Sequence, residues 1–143
     1  MQDKLLENEK IIRGMNYEKE NFRFLSEMSL EFSRARTSGD INKLKSLVSN
    51  NIEILEKDNE IFAKWKIDEQ EIEYPLYTKI RMKTYKDMQI NGYDYNEKED
   101  KFDIYVQEYF TNSAKEIVGI GFINLHFERI NNEWKISRFE YDI

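Results

Sequence analysis

Ile117-Val-Gly-Ile-Gly-Phe-Ile-Asn-Leu-His-Phe-Glu-Arg-Ile130, Asn131-Asn132 and Glu133-Trp-Lys-Ile-Ser-Arg-Phe-Glu-Tyr-Asp-Ile143 decide the fold of this chain. The first run is long and strongly apolar. The Asn-Asn pair is a two-residue turn of the type that tolerates positive φ, and the last run returns as a strand. Working backward, Phe102, Ile104, Val106 and Phe110 alternate with polar residues, Asn96 to Lys101 is a polar turn, and Ile80, Met82, Thr84, Met88 and Ile90 alternate again. Two consecutive hairpins give a meander of long antiparallel strands. The last strand has a parity break. Trp134 and Ile136 share one face, and simple alternation puts Phe139, Tyr141 and Ile143 on the other. A β-bulge near Ser137-Arg138 restores a common side and adds curvature. Gly119 and Gly121 in the partner strand permit bending or close backbone approach. A sheet bent this way wraps helices into a cone with a pocket at its wide end.

Ahead of the strands the pattern is helical. Phe22, Leu25, Met28, Phe32 and Ala35 recur at spacings of three and four, which predicts a helix over 17–37 that begins as early as Asp3. Ile11, Ile12 and Met15 continue the stripe backward. Ser38-Gly39-Asp40 stops this helix and starts the next, glycine suiting the left-handed residue after a helix end and aspartate accepting from free N–H groups. Ile41, Leu44, Leu47 and Val48 line the second helix, and Asn50-Asn51 ends it. Ile52 to Leu55 is a short strand. Glu60 to Lys66 admits either a strand or a short helix capped by Asn59. Pro75, the single proline, marks a boundary close to where the pattern changes. Helices first and strands afterwards predict an α+β fold, with N-terminal helices packed on a strongly curved antiparallel sheet. The domain division is a helical extension over 1–21 and one domain over 22–143.

The chain has 143 residues, 40% apolar, 14% aromatic and 35% charged, a composition too aromatic for a disordered tail and too charged for a membrane protein. It has no cysteine, which removes disulfides, thiolate zinc sites and cysteine nucleophiles, and one histidine, His126. The net charge of -6 comes without a basic cluster, against nucleic-acid binding. The densest basic stretch is Lys79, Arg81, Lys83 and Lys86, a solvated strand face. Glu53 to Tyr74 is acidic, with eight carboxylates against three lysines. The longest near-apolar run, Ile117 to Ile123, is far short of the roughly 20 residues that span a bilayer. A cytoplasmic protein and a soluble extracytoplasmic domain whose signal or anchor lies outside this chain both fit. No phosphate loop, nucleophile elbow, zinc spacing or calcium loop occurs, so no metal and no cofactor is expected.

Phe32-Ser-Arg-Ala-Arg-Thr-Ser-Gly-Asp40, Ile41 to Val48, Asn50-Asn-Ile-Glu-Ile54 and Asn132-Glu-Trp-Lys-Ile136 together resemble, in their order and spacing, the nuclear transport factor 2-like superfamily, also called cystatin-like by fold. The resemblance covers roughly 22–143, and the superfamily's third helix is not evident over 55–75. It implies a cone-shaped pocket and dimerisation through the sheet. It implies no reaction, because the superfamily includes isomerases, dehydratases, cyclases, transport adaptors and bacterial envelope or conjugative-transfer scaffolds.

Glu108 is the first candidate for chemistry. It interrupts the apolar face of Phe102, Ile104, Val106 and Phe110, where partial desolvation suits a general base and a strand-end position suits a paired or solvated carboxylate. His126 is the second, in a polar stripe with Asn124 and Glu128, either as a proton-transfer group or on the outer face of the sheet. Tyr105, Tyr109, Asn124 and Trp134 are candidate ligand contacts, Tyr105 and Tyr109 sharing a face with Asp103 and Gln107 that suits a wet aromatic interface. These features favour a non-enzymatic binding or scaffold domain for a protein partner or a small apolar ligand. The alternative is a small isomerase, dehydratase or cyclase-like enzyme with its carboxylate in the cone.

Overall fold

The computed structural model describes residues 2–78 and 84–142. The order is α1 (Gln2–Ser38), α2 (Ile41–Leu47), β1 (Glu53–Lys57), β2 (Glu60–Ile67), β3 (Gln70–Tyr77), β4 (Thr84–Asn96), β5 (Lys101–Thr111), β6 (Ile117–Ile130) and β7 (Glu133–Asp142). The strands form two antiparallel sheets, β1-β2-β3 and β4-β5-β6-β7, so the α+β expectation holds.

The expected stripe of α1 is its buried face. Leu25, Met28, Phe32 and Ala35 enter the core, and Phe22 stacks on Tyr93 at 4.3 Å. Contact with the sheet begins at Tyr17, whose hydroxyl donates to Asp100 at 2.8 Å. The earlier turns behave differently. Leu5, Leu6, Ile11, Ile12 and Met15 are all more than half exposed, so the apolar pattern there continues without a partner among the described residues. Gly39, at φ +78°, ends α1 in the conformation that glycine tolerates best. Asp40 caps α2 by accepting from the Lys43 N–H at 3.1 Å.

The segment that admitted helix or strand is β2. Asp58-Asn59 and Asp68-Glu69 all lie at positive φ, and they turn β1 into β2 and β2 into β3 as tight hairpins. A third helix over 55–75 therefore has no room in this fold. Pro75 is not a boundary between patterns. It lies inside β3, an edge strand, where a missing N–H costs no ladder bond. The change from helix to strand falls earlier, between Leu47 and Glu53. Of the basic stretch, Lys86 is exposed, while Lys79, Arg81 and Lys83 lie outside the described residues, as do Ile80 and Met82.

β4 to β7 form the expected meander, and Asn131 and Asn132 adopt φ 53° and 64° in the last turn. The parity break is resolved by a bulge. His126 pairs with Arg138 and Phe127 with Ile136, leaving Ser137 as the extra residue. Trp134, Ile136 and Phe139 consequently share the buried side. The chain after α2 braces the bulge. Asn51 Nδ2 donates to the Ser137 carbonyl at 2.7 Å, and the Ser49 N–H donates to the Ile136 carbonyl at 2.9 Å. Further register shifts in β4, at Tyr85/Asp87 and Ile90/Gly92, add to the curvature. Phe139 joins the layers: its ring lies 5.6 Å from Phe32, 4.8 Å from Trp65 and 5.7 Å from Tyr74.

Candidate functional site

Two clusters of polar side chains stand on opposite faces of the four-stranded sheet. The inner one forms around Glu108, which is fully buried in β5 among Phe102, Ile104 and Val106. Arg36, in the last turn of α1, meets it. The guanidinium donates to Glu108 Oε1 in a short charge-assisted bond, and both side chains are sealed from solvent. The Tyr141 hydroxyl donates to the same oxygen at 3.4 Å, and the Arg36 guanidinium lies 4.9 Å from the Tyr141 ring centre. Glu108 Oε2 has no hydrogen-bond partner among the described residues. Gly121 pairs with Glu108 across the strands, and a Cβ there would lie 2.6 Å from the Tyr141 hydroxyl. A side chain at this point would have to displace the Tyr141 phenol from Glu108.

Burial pushes the Tyr74 and Tyr85 hydroxyls up to about 12, and the Glu108 charge adds to both. Burial raises Tyr141 as well. A phenol with a raised value in the folded state stabilises the fold fully below its unfolded value of about 10 and loses that contribution as pH rises toward 12. Absorbance titration at 295 nm is therefore expected to show a late class of tyrosines centred near 12. The urea midpoint is expected to fall between about pH 10 and 12. Uniform titration of the tyrosines near 10 would contradict this environment.

The outer cluster is built by direct cross-strand pairing: Tyr105 with Asn124, Asp103 with His126, His126 with Arg138, and Asn124 with Glu140. His126 Nδ1 faces Asp103 Oδ1 at 2.5 Å, and Nε2 faces Glu140 Oε1 at 3.3 Å. Burial works against the Glu140 charge, but Arg138 and His126 hold its carboxyl below the usual range. The Tyr105 hydroxyl donates to Asp94 in a short bond. Tyr109 donates to Gln89 at 3.2 Å and begins an amide chain, Gln89 to Asn91 at 2.9 Å and Asn91 to Gln107 at 2.8 Å. An open groove of about 340 Å³ runs between Asn91, Tyr105, Phe122, Asn124 and Glu140. Phe122 is 48% exposed on its floor.

The two acid/base candidates are thus on opposite sides of one sheet: Glu108 faces inward and His126 outward. Tyr105 and Asn124 come together in the groove, and Tyr109 lies farther along the same face. Trp134 stands apart, buried beneath α1 with its indole N–H donating to Asn21 at 2.8 Å and the Arg129 guanidinium 4.7 Å from its ring centre. Arg36 and Tyr141 were missed by reading the sequence. Arg36 does lie four residues after Phe32 and seven after Ser29 on the buried stripe of α1, which is the signal that marks it. No group of three or more potential metal ligands occurs among the described residues, and no helix of the described residues is long and apolar enough to cross a membrane. No family model, curated protein or solved structure matches the chain.

Proposed function

We propose that this chain is a non-enzymatic binding or scaffold domain that holds a protein partner on the outward face of β4–β7. The observation that carries this reading is the groove in which Tyr105, Phe122 and Asn124 converge. Aromatic rings beside amides, with a polar surround, are the composition of recognition surfaces. The inner carboxylate is already matched to a guanidinium, so its charge is spent within the fold. We further propose that the chain is a divergent nuclear transport factor 2-like domain, with the sheets and helices arranged as a cone. The helix, Gly-Asp turn, helix and strand order supports this, as does the bulged closing strand. The hairpins over 55–75 depart from that pattern.

One observation favours the enzyme reading: Glu108 Oε2 is buried and unmatched, with the Tyr141 hydroxyl on the neighbouring oxygen. A single experiment separates the two. A photoreactive phenylalanine analogue is placed at Phe122, or at exposed Lys66 on the other sheet, in the native host. Discrete protein adducts from position 122 and none from position 66 are expected. Adducts from neither position, together with turnover of a small carbonyl substrate that is lost in Glu108→Gln, would replace the scaffold with the enzyme.

A further inference from the structure

The partner's chemistry can be read from the charges around the groove. Asp94 and Asp103 are direct cross-strand partners, an arrangement in which like charges cost stability. Asp103 faces the His126 ring nitrogen Nδ1 at 2.5 Å. Asp94 has no ion-pair partner among the described residues; its contact is the Tyr105 hydroxyl at the groove's edge. That hydroxyl reports the local field. It is pushed up to about 12 by the bond to Asp94, by burial and by the charges of Asp94, Asp103 and Glu140. Arg138 pairs with Glu140, which leaves Asp94 and Asp103 as a negative edge beside the partly exposed rings of Tyr105 and Phe122.

On the reading that the outer sheet face is the recognition surface, we infer that the groove beside Asp94 takes an arginine or lysine side chain from a basic segment of the partner protein. A guanidinium or ammonium offers only donors, so it suits a site bordered by the acceptor carboxylates of Asp94 and Asp103. Its charge offsets the Asp94–Asp103 repulsion, and it gains from the aromatic faces. An acidic or purely apolar segment would leave Asp94 uncompensated. The net charge of -6 draws a basic segment toward the chain in general, and the like-charge pair selects this face.

The test uses the full chain and a fluorescein-labelled hexa-arginine peptide, followed by anisotropy at low and moderate salt, with hexa-glutamate for comparison. Backbone amide shifts of the labelled protein locate the bound peptide. Hexa-arginine is expected to shift Tyr105, Phe122 and Asn124, and hexa-glutamate to leave them unmoved. Asp94→Asn combined with Tyr105→Leu is expected to weaken binding roughly five- to tenfold, while Glu69→Gln and Glu71→Gln on the acidic three-stranded sheet have no comparable effect. Shifts confined to β1–β3, or equal affinity in the Asp94→Asn, Tyr105→Leu variant, would overturn the proposal. If crosslinks from position 122 persist while hexa-arginine does not bind there, the outer face remains a docking surface and only the cationic identity of its ligand falls. Loss of both removes the surface itself.

Discussion

Arg36→Leu is expected to lose about 3–5 kcal/mol of unfolding free energy, because it strands the Glu108 carboxylate in an apolar interior. Glu108 is fully buried and the Arg36 side chain is 8% exposed, so water offers little relief once the partner is gone. The ion pair itself need not be strongly stabilising. Two desolvated charges roughly cancel the gain from their attraction, whereas one desolvated charge alone has no offset. The double variant Arg36→Leu, Glu108→Leu is therefore expected to recover most of the lost stability, coming within about 2 kcal/mol of the parent or above it. Urea denaturation checks both. The midpoint should drop in the single variant with little change in slope, and return in the double variant. A loss below about 1 kcal/mol in the single variant would mean that water reaches Glu108, which is the behaviour of a surface pair.

Deleting Ser137 is expected to cost more. This residue is the extra one in β7, and without it the strand slips by one position beyond Ile136. A one-residue slip sends every following side chain to the opposite face. Phe139, now buried between Phe32, Trp65 and Tyr74, would point outward, and Tyr141 would leave Glu108. Emptying a site the size of phenylalanine alone costs about 3–5 kcal/mol, a large part of the 5–15 kcal/mol that holds a typical domain together. The carbonyl that accepts from Asn51 is also displaced. The expected result is a chain without a cooperative unfolding transition by circular dichroism. Ser137→Ala keeps the bulge and is expected to stay folded, losing on the order of 1 kcal/mol. A deletion variant that melts like its parent would show that the hydrophobic register of β7 does not depend on the bulge.

The bulge shows how a strand can be read accurately from one sequence. Trp134, Ile136, Phe139 and Tyr141 violate period two by one step, and only an inserted residue brings them together on a strand. The Gly39-Asp40 break was legible for a similar reason: positive φ and N-capping each belong to few residue types. The hairpins over 55–75 were less legible. Their turns are Asp58-Asn59 and Asp68-Glu69, acidic and amide residues forced to positive φ without a glycine to announce them. Ile61, Phe62 and Trp65 satisfy a short helix nearly as well as a strand, and cross-strand pairing with β1 and β3 decided the matter.

Local pattern alone was enough to determine the class of fold, the greasy face of α1, the order of the meander, the kink in its last strand, and the interruption of an apolar face by Glu108. Each depends on neighbours a few residues apart, where periodicity and backbone preference act. Packing at long range decided the rest. Arg36 reaches Glu108 across 72 positions, and Tyr141 reaches it across 33. The Asp94–Asp103 repulsion is set by strand register, and the groove at Tyr105 by which strands stand side by side. A carboxylate's sequence neighbours show that it is out of place. Only the folded chain supplies the charge that answers it, because desolvation and Coulomb attraction depend on distances in space and not on positions along the chain.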